Sequence, residues 1–100
     1  MKRGTTPTHT FTLPFEVDLV KKVRVLYSQD DNLKVTKTED DVVMKGNTIQ
    51  VKLTQEDTFK LLCSRFVEIQ VRVLTTTGEA MSSDIIRVAL DRCLEEAILG

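Results

Sequence analysis

The chain carries few residues of the types that build catalytic sites. His9 is the single histidine, and it stands among threonines at positions 8, 10 and 12. A histidine that acts as a general base needs a partner and a pocket, so this setting predicts a solvated strand residue. Ser82, Ser83 and Asp84 place hydroxyls beside a carboxylate, but without the Gly-x-Ser-x-Gly turn of a nucleophilic serine. We therefore expect Ser83 or Asp84 to cap a turn, no catalytic residues, and a protein that is not an enzyme.

The sequence also contains no recognisable pattern of a metal or cofactor site. The acidic clusters at residues 30–31 and 39–41 lack the alternating aspartate spacing of a calcium loop, so solvated turns are the better interpretation. Cys63 and Cys93 lack the C-x-x-C spacing of zinc and redox sites, which favours reduced thiols. A disulfide between them requires Cα atoms within about 7 Å, which their spacing along the chain leaves open. We expect no metal and no cofactor.

Composition and net charge argue against some classes of binding partner. The chain has 100 residues, 41% of them hydrophobic and 29% charged, which is typical of one folded domain. A net charge of -1, with adjacent basic residues only at positions 2–3 and 21–22, argues against nucleic acid. No apolar run approaches the ~20 residues that span a bilayer, and the N-terminus lacks the apolar core of a secretion signal. We expect no membrane partner, and synthesis and residence in the cytoplasm.

Strict alternation of apolar and polar residues predicts strands with one buried face. The strongest case is residues 66–74, followed by a Thr/Gly turn and a return strand over residues 83–90. Asp30 to Asn32 and the Gly46-Asn47 pair predict two further turns. Other strands are predicted at residues 8–15, where Pro14 marks an edge or a strand end, and at 22–29, 33–38, 42–44 and 48–54, with both Leu33 and Val35 inward.

About seven short strands and little helix predict an all-β fold, an immunoglobulin-like antiparallel β-sandwich, with a small closed barrel as the alternative. Thr54 and Asp57 predict a capped helical turn at residues 55–61 that carries Phe59 and Leu62 under the sandwich. A short C-terminal helix is expected after Asp91, with an apolar stripe of Cys93, Leu94, Ala97 and Ile98. We assign residues 1–91 to the sandwich and 92–100 to the helical tail.

Segments spread along nearly the whole chain carry a resemblance to a known group of proteins. They are residues 4–14, 23–29, 53–58, 69–73, Gly78 and 83–86. These segments resemble small proteins encoded in the tail regions of phages and prophages of Gram-positive bacteria. They are more loosely similar to the immunoglobulin-like N-terminal domain of phage baseplate upper proteins. The resemblance implies a structural or adaptor part of a tail or baseplate, present in the bacterial cytoplasm during synthesis and in the virion once assembled.

A module of this kind acts through protein–protein contacts, with other tail or baseplate proteins or with a copy of itself. The strand at residues 8–15 and the stripe of the C-terminal helix are the expected contact surfaces, because edge strands and uncovered stripes accept partners. Leu26 and Leu74, on strand sides expected to be wet, and Leu94, on the tail, are the candidate contact residues. The alternative is a carbohydrate-binding module for the host cell envelope, which requires an exposed aromatic platform. Tyr27, the one tyrosine, is the candidate.

Overall fold

The computed structural model describes Met1 and residues 5–62, 65–83 and 85–90, which form two antiparallel β-sheets. A three-stranded sheet has the order β1-β5-β4, and a five-stranded sheet has the order β3-β2-β6, with β7 and β8 both pairing the far side of β6. A 3₁₀ turn at Val17–Leu19 and a helix α1 at Gln55–Phe59 connect the two sheets. The strands are β1 (Thr8–Thr12), β2 (Val20–Gln29), β3 (Asn32–Thr38), β4 (Val42–Lys45), β5 (Thr48–Lys52), β6 (Phe66–Thr75), β7 (Ala80–Ser82) and β8 (Ile86–Ala89).

The core lies between the two sheets, because each long strand turns alternate side chains inward. Along β2 and β6 every second residue is buried, and the residues between them face solvent or are half-buried. The buried apolar side chains of both sheets form one cluster: Val23, Val25, Tyr27, Val35, Ile49, Val51, Leu53, Leu61, Val67, Ile69, Val71, Val73 and Leu90. The predicted all-β sandwich is thus confirmed.

The order of the strands is that of an immunoglobulin-type sandwich without its first strand. Immunoglobulin sheets have the orders A-B-E-D and C-F-G, and some domains add a strand C′ beside C. Taking β1 as B places β5 and β4 as E and D, β2 and β3 as C and C′, and β6 as F. Strands β7 and β8, which both pair with β6, then occupy the position of strand G. No described strand occupies the position of strand A beside β1.

Two predictions of an inward side chain are wrong: that of Leu33, which came from the strand alternation, and that of Leu62, which came from the helical turn at residues 55–61. Leu33 is 60% exposed, because a bulge inserts Lys34 between the pairs Tyr27–Val35 and Ser28–Leu33 and turns Leu33 to the outer face. After α1, Leu61 is the fully buried residue, whereas Leu62 is 44% exposed and Phe59 is half-buried. The helix ends at Phe59, two residues earlier than expected, so the chain enters the core one position before Leu62.

Turn chemistry follows the sequence closely. Asp30 and Asp31 both adopt positive φ, 49° and 65°, which two-residue hairpin turns require and which aspartate tolerates better than most residues. Gly46, at φ 60°, serves the β4–β5 hairpin. The capping box at α1 is present, with Asp57 N–H donating to Thr54 Oγ1 and Thr54 N–H donating to the Asp57 carboxylate. The predicted C-terminal helix, at residues 92–100, lies outside the described residues, as do Cys63 and Cys93.

A buried glutamine holds the segment that follows α1 against the five-stranded sheet. Gln29 ends β2 and is almost fully buried. Its side-chain amide donates to the Leu62 carbonyl at 2.9 Å, and its side-chain oxygen accepts from Leu62 N–H at 2.7 Å. Both backbone groups of Leu62 are therefore satisfied by one side chain that lies 33 residues earlier in the chain.

We predict that Gln29→Met, which keeps the approximate length of the side chain but removes both hydrogen bonds, lowers the free energy of unfolding by about 1–3 kcal/mol, the cost of unpaired buried polar groups. Chemical denaturation of the whole chain measures this change. Gln50→Met is the matched control, because Gln50 lies exposed on β5, and such a surface change costs less than about 0.5 kcal/mol. Equal losses in the two variants would contradict the role of the Gln29–Leu62 contact.

Candidate interaction site

Strand β1 is an edge of the three-stranded sheet, and half of its backbone groups point away from that sheet. Leu53 N–H donates to the Pro7 carbonyl at 2.9 Å, and Leu13 N–H donates to the Asn47 carbonyl at 2.7 Å. Because hydrogen-bonded pairs alternate in an antiparallel ladder, His9 and Phe11 also bond to β5. The N–H and C=O groups of Thr10 and Thr12 therefore point outward, and none of the described strands pairs with them. Pro14 predicted an edge or a strand end, and it lies just beyond the end of β1, which is an edge strand.

The chemistry of β1 distinguishes it from the other long edges. Natural edge strands are often protected by lysine and other charged residues, which discourage pairing with a foreign strand. Edge strand β3 carries Lys34 and Lys37, and β4 ends at Lys45. Strand β1 carries no charged residue, and its outward positions are threonines, which have high strand propensity. It is the edge best suited to accept a partner strand.

The predicted contact residues Leu26 and Leu74 lie on the outer face of the five-stranded sheet. Leu26 is paired with Gln70 on one side and Thr36 on the other, and Leu74 is paired with Lys22 and Ala80. Both leucines are half-buried. Their placement on the outer face agrees with the alternation, and Leu94, the third candidate, lies outside the described residues.

Apolar side chains that the alternation did not identify extend this outer face. Leu26 shares a shallow pocket of about 100 Å³ with Leu33 and Ile85, both more than half exposed. Leu33 reaches this face through the bulge in β3, and Ile85 lies in the interruption between β7 and β8. Leu33 departs from the simple period of two, so the sequence held no signal for its position. Ile85 directly precedes the inward-facing Ile86, so its outward side agrees with the alternation of the predicted strand at residues 83–90.

A pair of arginines lies at the centre of the same face. Arg24 on β2 and Arg72 on β6 are direct cross-strand partners, and with Lys22 and Leu74 they line a groove of about 290 Å³. Like charges directly opposite each other destabilise a sheet. Among the described residues, neither arginine belongs to an ion pair at bonding distance; Glu39 lies near enough to Arg24 to feel its charge. The juxtaposition depends on strand register, which composition and spacing do not reveal.

His9 is not the solvated residue that its threonine neighbours suggested. It has the same parity as Phe11 and points inward, where its ring stacks on Tyr27 with centroids 5.7 Å apart. The His9 Nδ1 and the Tyr27 hydroxyl form a hydrogen bond of 2.8 Å. Burial lowers the pKa of His9, and the Met1 ammonium group lowers it further. Burial raises the pKa of Tyr27, and the Asp57 carboxylate adds to that effect. The pair is a neutral contact between the two sheets.

A half-buried ion pair lies beside this contact. Lys37 Nζ and the Asp57 carboxylate are 2.7 Å apart, and both side chains are largely shielded from solvent. Burial opposes ionisation of Asp57, but the Lys37 ammonium group and the Thr54 N–H outweigh it and hold the pKa of Asp57 below its ordinary value. Lys37 is thus an inward-pointing charge on edge strand β3, one of the devices that protect sheet edges.

Side chains of the types that ligate metals are dispersed over the described residues. Among them, no three histidine, cysteine, aspartate or glutamate side chains come close enough to hold a metal ion. Ser83 Oγ accepts from Val71 N–H at 3.0 Å, so this contact joins the serine to strand β6 and is not a turn cap. Asp84, the other predicted capping residue, lies outside the described residues. Within the same part of the chain, no helix has the length and apolarity to cross a membrane. No family model, no curated protein and no solved structure matches the chain.

The His9 environment predicts a dependence of stability on pH. The pKa of His9 in the folded chain lies below the ordinary value of 6.5, so the unfolded chain binds a proton that the folded chain excludes. Stability is therefore complete above pH 6.5 and is lost as the pH falls toward the folded pKa, with a slope of at most about 1.4 kcal/mol per pH unit.

Urea titrations between pH 7 and 5 measure this loss, and His9→Gln should remove it, because His9 is the one histidine. The contribution of Asp57 falls at lower pH, since its stabilisation is present above its unfolded pKa of 3.8 and disappears as the pH drops below it. A variant that keeps the full slope between pH 7 and 5 would contradict the assignment to His9.

The arginine pair predicts a substitution that stabilises the fold. Arg72→Gln removes one of two like charges and should raise the free energy of unfolding by about 0.2–1 kcal/mol at low salt, with a smaller gain near 1 M salt. Arg87→Gln is the matched control. Arg87 is the cross-strand partner of Glu68, and its guanidinium lies 4.6 Å from the centre of the Phe66 ring. Its loss should therefore be neutral or destabilising, and a gain equal to that of Arg72→Gln would refute the repulsion.

Proposed function

We propose that the chain is a non-enzymatic structural or adaptor module of a phage or prophage tail or baseplate, and that it acts through protein–protein contacts. The observation that carries the interaction role is β1, a neutral edge strand with unpaired outward backbone groups among the described residues. The assignment to a tail or baseplate comes from the resemblance of residues 4–14, 23–29, 53–58 and 69–73 to small phage tail-region proteins.

The outer face of the five-stranded sheet supports the same role. Leu26, Leu33 and Ile85 form an apolar patch next to the basic groove of Arg24 and Arg72. Interfaces commonly combine apolar anchors with arginines, which are enriched at such surfaces. We propose this face as a second contact surface, with Leu26 and Leu74 among its contact residues.

The carbohydrate-binding alternative requires an exposed aromatic ring, which the candidate residue does not provide. Tyr27 is fully buried under β1, where its hydroxyl bonds to His9. Phe66 is the one large aromatic among the described residues that is more than half exposed, and the guanidinium of Arg87 covers its ring. No observation therefore favours a glycan over a protein partner.

Tail particles purified from a lysogen that encodes the chain provide the test. We predict that the chain co-purifies with the tail proteins in a fixed ratio measured by quantitative mass spectrometry. Leu26→Asp should lower its amount in the particles about tenfold, the effect of losing one anchor worth more than 1 kcal/mol. Val43→Asp is the matched control, because Val43 is 62% exposed and lies on β4, at the edge of the three-stranded sheet opposite β1.

Particles that contain the tail proteins but not this chain would refute the proposal. Equal incorporation of Leu26→Asp and the parent chain would remove Leu26 from the contact while leaving the module in the tail. Circular dichroism of both variants establishes that each is folded.

A further inference from the structure

The five-stranded sheet extends past the three-stranded sheet on the side of β1. Met81 is the cross-strand partner of Val73, and Ile86 is the partner of Ile69, so both face the interior of the sandwich. Nevertheless, Met81 is 38% exposed and Ile86 is 44% exposed. Inward-facing side chains with this exposure mean that no described strand of the opposite sheet covers them.

An apolar groove runs along this open side. It is lined on one wall by Thr12, Leu13 and Phe15 and on the other by Val73 and Met81, and it has a volume of about 180 Å³. None of the described residues that line it is charged. At the opposite end of the same side, the Met1 ammonium group donates to the Ala89 carbonyl at 2.8 Å, and the Met1 side chain packs on the core. The groove therefore lies beside the C-terminal end of β1.

Two features coincide at this groove. Thr12 on the edge strand and Met81 on β7 both line it. Thr10 lies on the same edge of β1, and Ile86, which is also partly uncovered, lies on β8. A strand placed beside β1 would bond to the outward backbone groups of Thr10 and Thr12 and cover these apolar side chains. This is the position that strand A occupies in an immunoglobulin-type sheet of order A-B-E-D.

We propose that a β-strand donated by another protein of the assembly completes the three-stranded sheet at β1. The donated segment is extended and uncharged, because neither β1 nor the described lining of the groove carries a charge. It carries apolar side chains at alternate positions, which face Met81 and Ile86, and polar side chains between them, which continue the threonine face of β1. Backbone hydrogen bonds to Thr10 and Thr12 supply affinity, and the alternate side chains supply specificity. This inference deepens the proposed function by naming the kind of segment that the edge accepts.

A second copy of the chain fits this site less well than a donated strand. Antiparallel pairing of two β1 strands about a two-fold axis would bring together the β7 and β8 edges of both copies, which extend past β1. A single strand meets no such obstacle, because it brings no second sheet with it.

The probe is a seven-residue acetylated and amidated peptide that alternates valine with threonine and ends in lysine for solubility. A control peptide of the same composition places the valines in one block. Nuclear magnetic resonance of the full-length, ¹⁵N-labelled chain follows the exchange of individual amides. We expect the alternating peptide to slow exchange at Thr10 and Thr12 about tenfold, the effect of one new ladder bond at each. His9 and Phe11, already bonded to β5, should change little.

Thr10→Pro removes an outward N–H without breaking a bond to β5, since proline is accepted on an edge strand where its nitrogen faces solvent. This variant should lose the response to the peptide, whereas Thr10→Ala, which keeps the N–H, should retain it. Unchanged amides at Thr10 and Thr12, or an equal response to both peptides, would overturn the proposal. So would protection of these amides in the free chain, or protection that grows with the concentration of the chain itself.

The two proposals can fail separately. Binding of the alternating peptide by a chain that is missing from tail particles would leave the strand site standing and remove the phage assignment. Incorporation into particles by a chain whose Thr10 and Thr12 amides ignore the peptide would do the reverse.

Discussion

Burial of alternate side chains between β2 and β6 on one side and β5 on the other is the interaction on which the rest of the structure depends. The two longest strands pair along most of their length and present Val23, Val25, Val71 and Val73 to the opposite sheet. Because the period of a strand is two, this burial also determines what faces outward. The choice of residues for the core therefore determines which leucines and arginines lie on the outer face. It also determines the direction in which the backbone N–H and C=O groups of Thr10 point.

The sequence alone was sufficient for most of the strands, the hairpin turns and the capped turn at Thr54, since each depends on local pattern and turn chemistry. It predicted one return strand at residues 83–90, which was wrong, because the structure has two short strands, β7 at Ala80–Ser82 and β8 at Ile86–Ala89. It was insufficient wherever a tertiary feature changed the pattern. The bulge at Lys34 turned Leu33 outward, and the polar threonines around His9 concealed that it shares the inward side of Phe11. The edge position of β1 could be inferred from Pro14. The exposure of Met81 and Ile86 could not, because it depends on the unequal widths of two sheets.

The edge strands on the two sides of the sandwich differ in how they are protected against pairing with another strand. On β3, Lys37 turns inward to Asp57, and on the outer rim of β2 the Glu39 carboxylate accepts from Val23 N–H at 3.3 Å, beyond the end of β3. These two contacts place charged side chains along the β3 side of the five-stranded sheet. On the opposite side, β1 has threonines and no charge, and the sheet beneath it is partly uncovered. Such asymmetry is what a module needs if it must bind in one orientation and remain separate elsewhere.

The pairing of β2 with β6 also has a consequence for how the chain matures on the ribosome. Paired residues lie between 40 positions apart, from Ser28 to Glu68, and 55 positions apart, from Val20 to Thr75. The N-terminal hairpin of β2 and β3 can therefore form early, but its valines have no second neighbour until β6 has left the exit tunnel. Contacts of such long range slow folding and prolong the exposure of nascent apolar strands. Strand β6 must be synthesised before this sandwich can close, which gives nascent-chain chaperones a long interval in which to bind the unpaired β2–β3 hairpin.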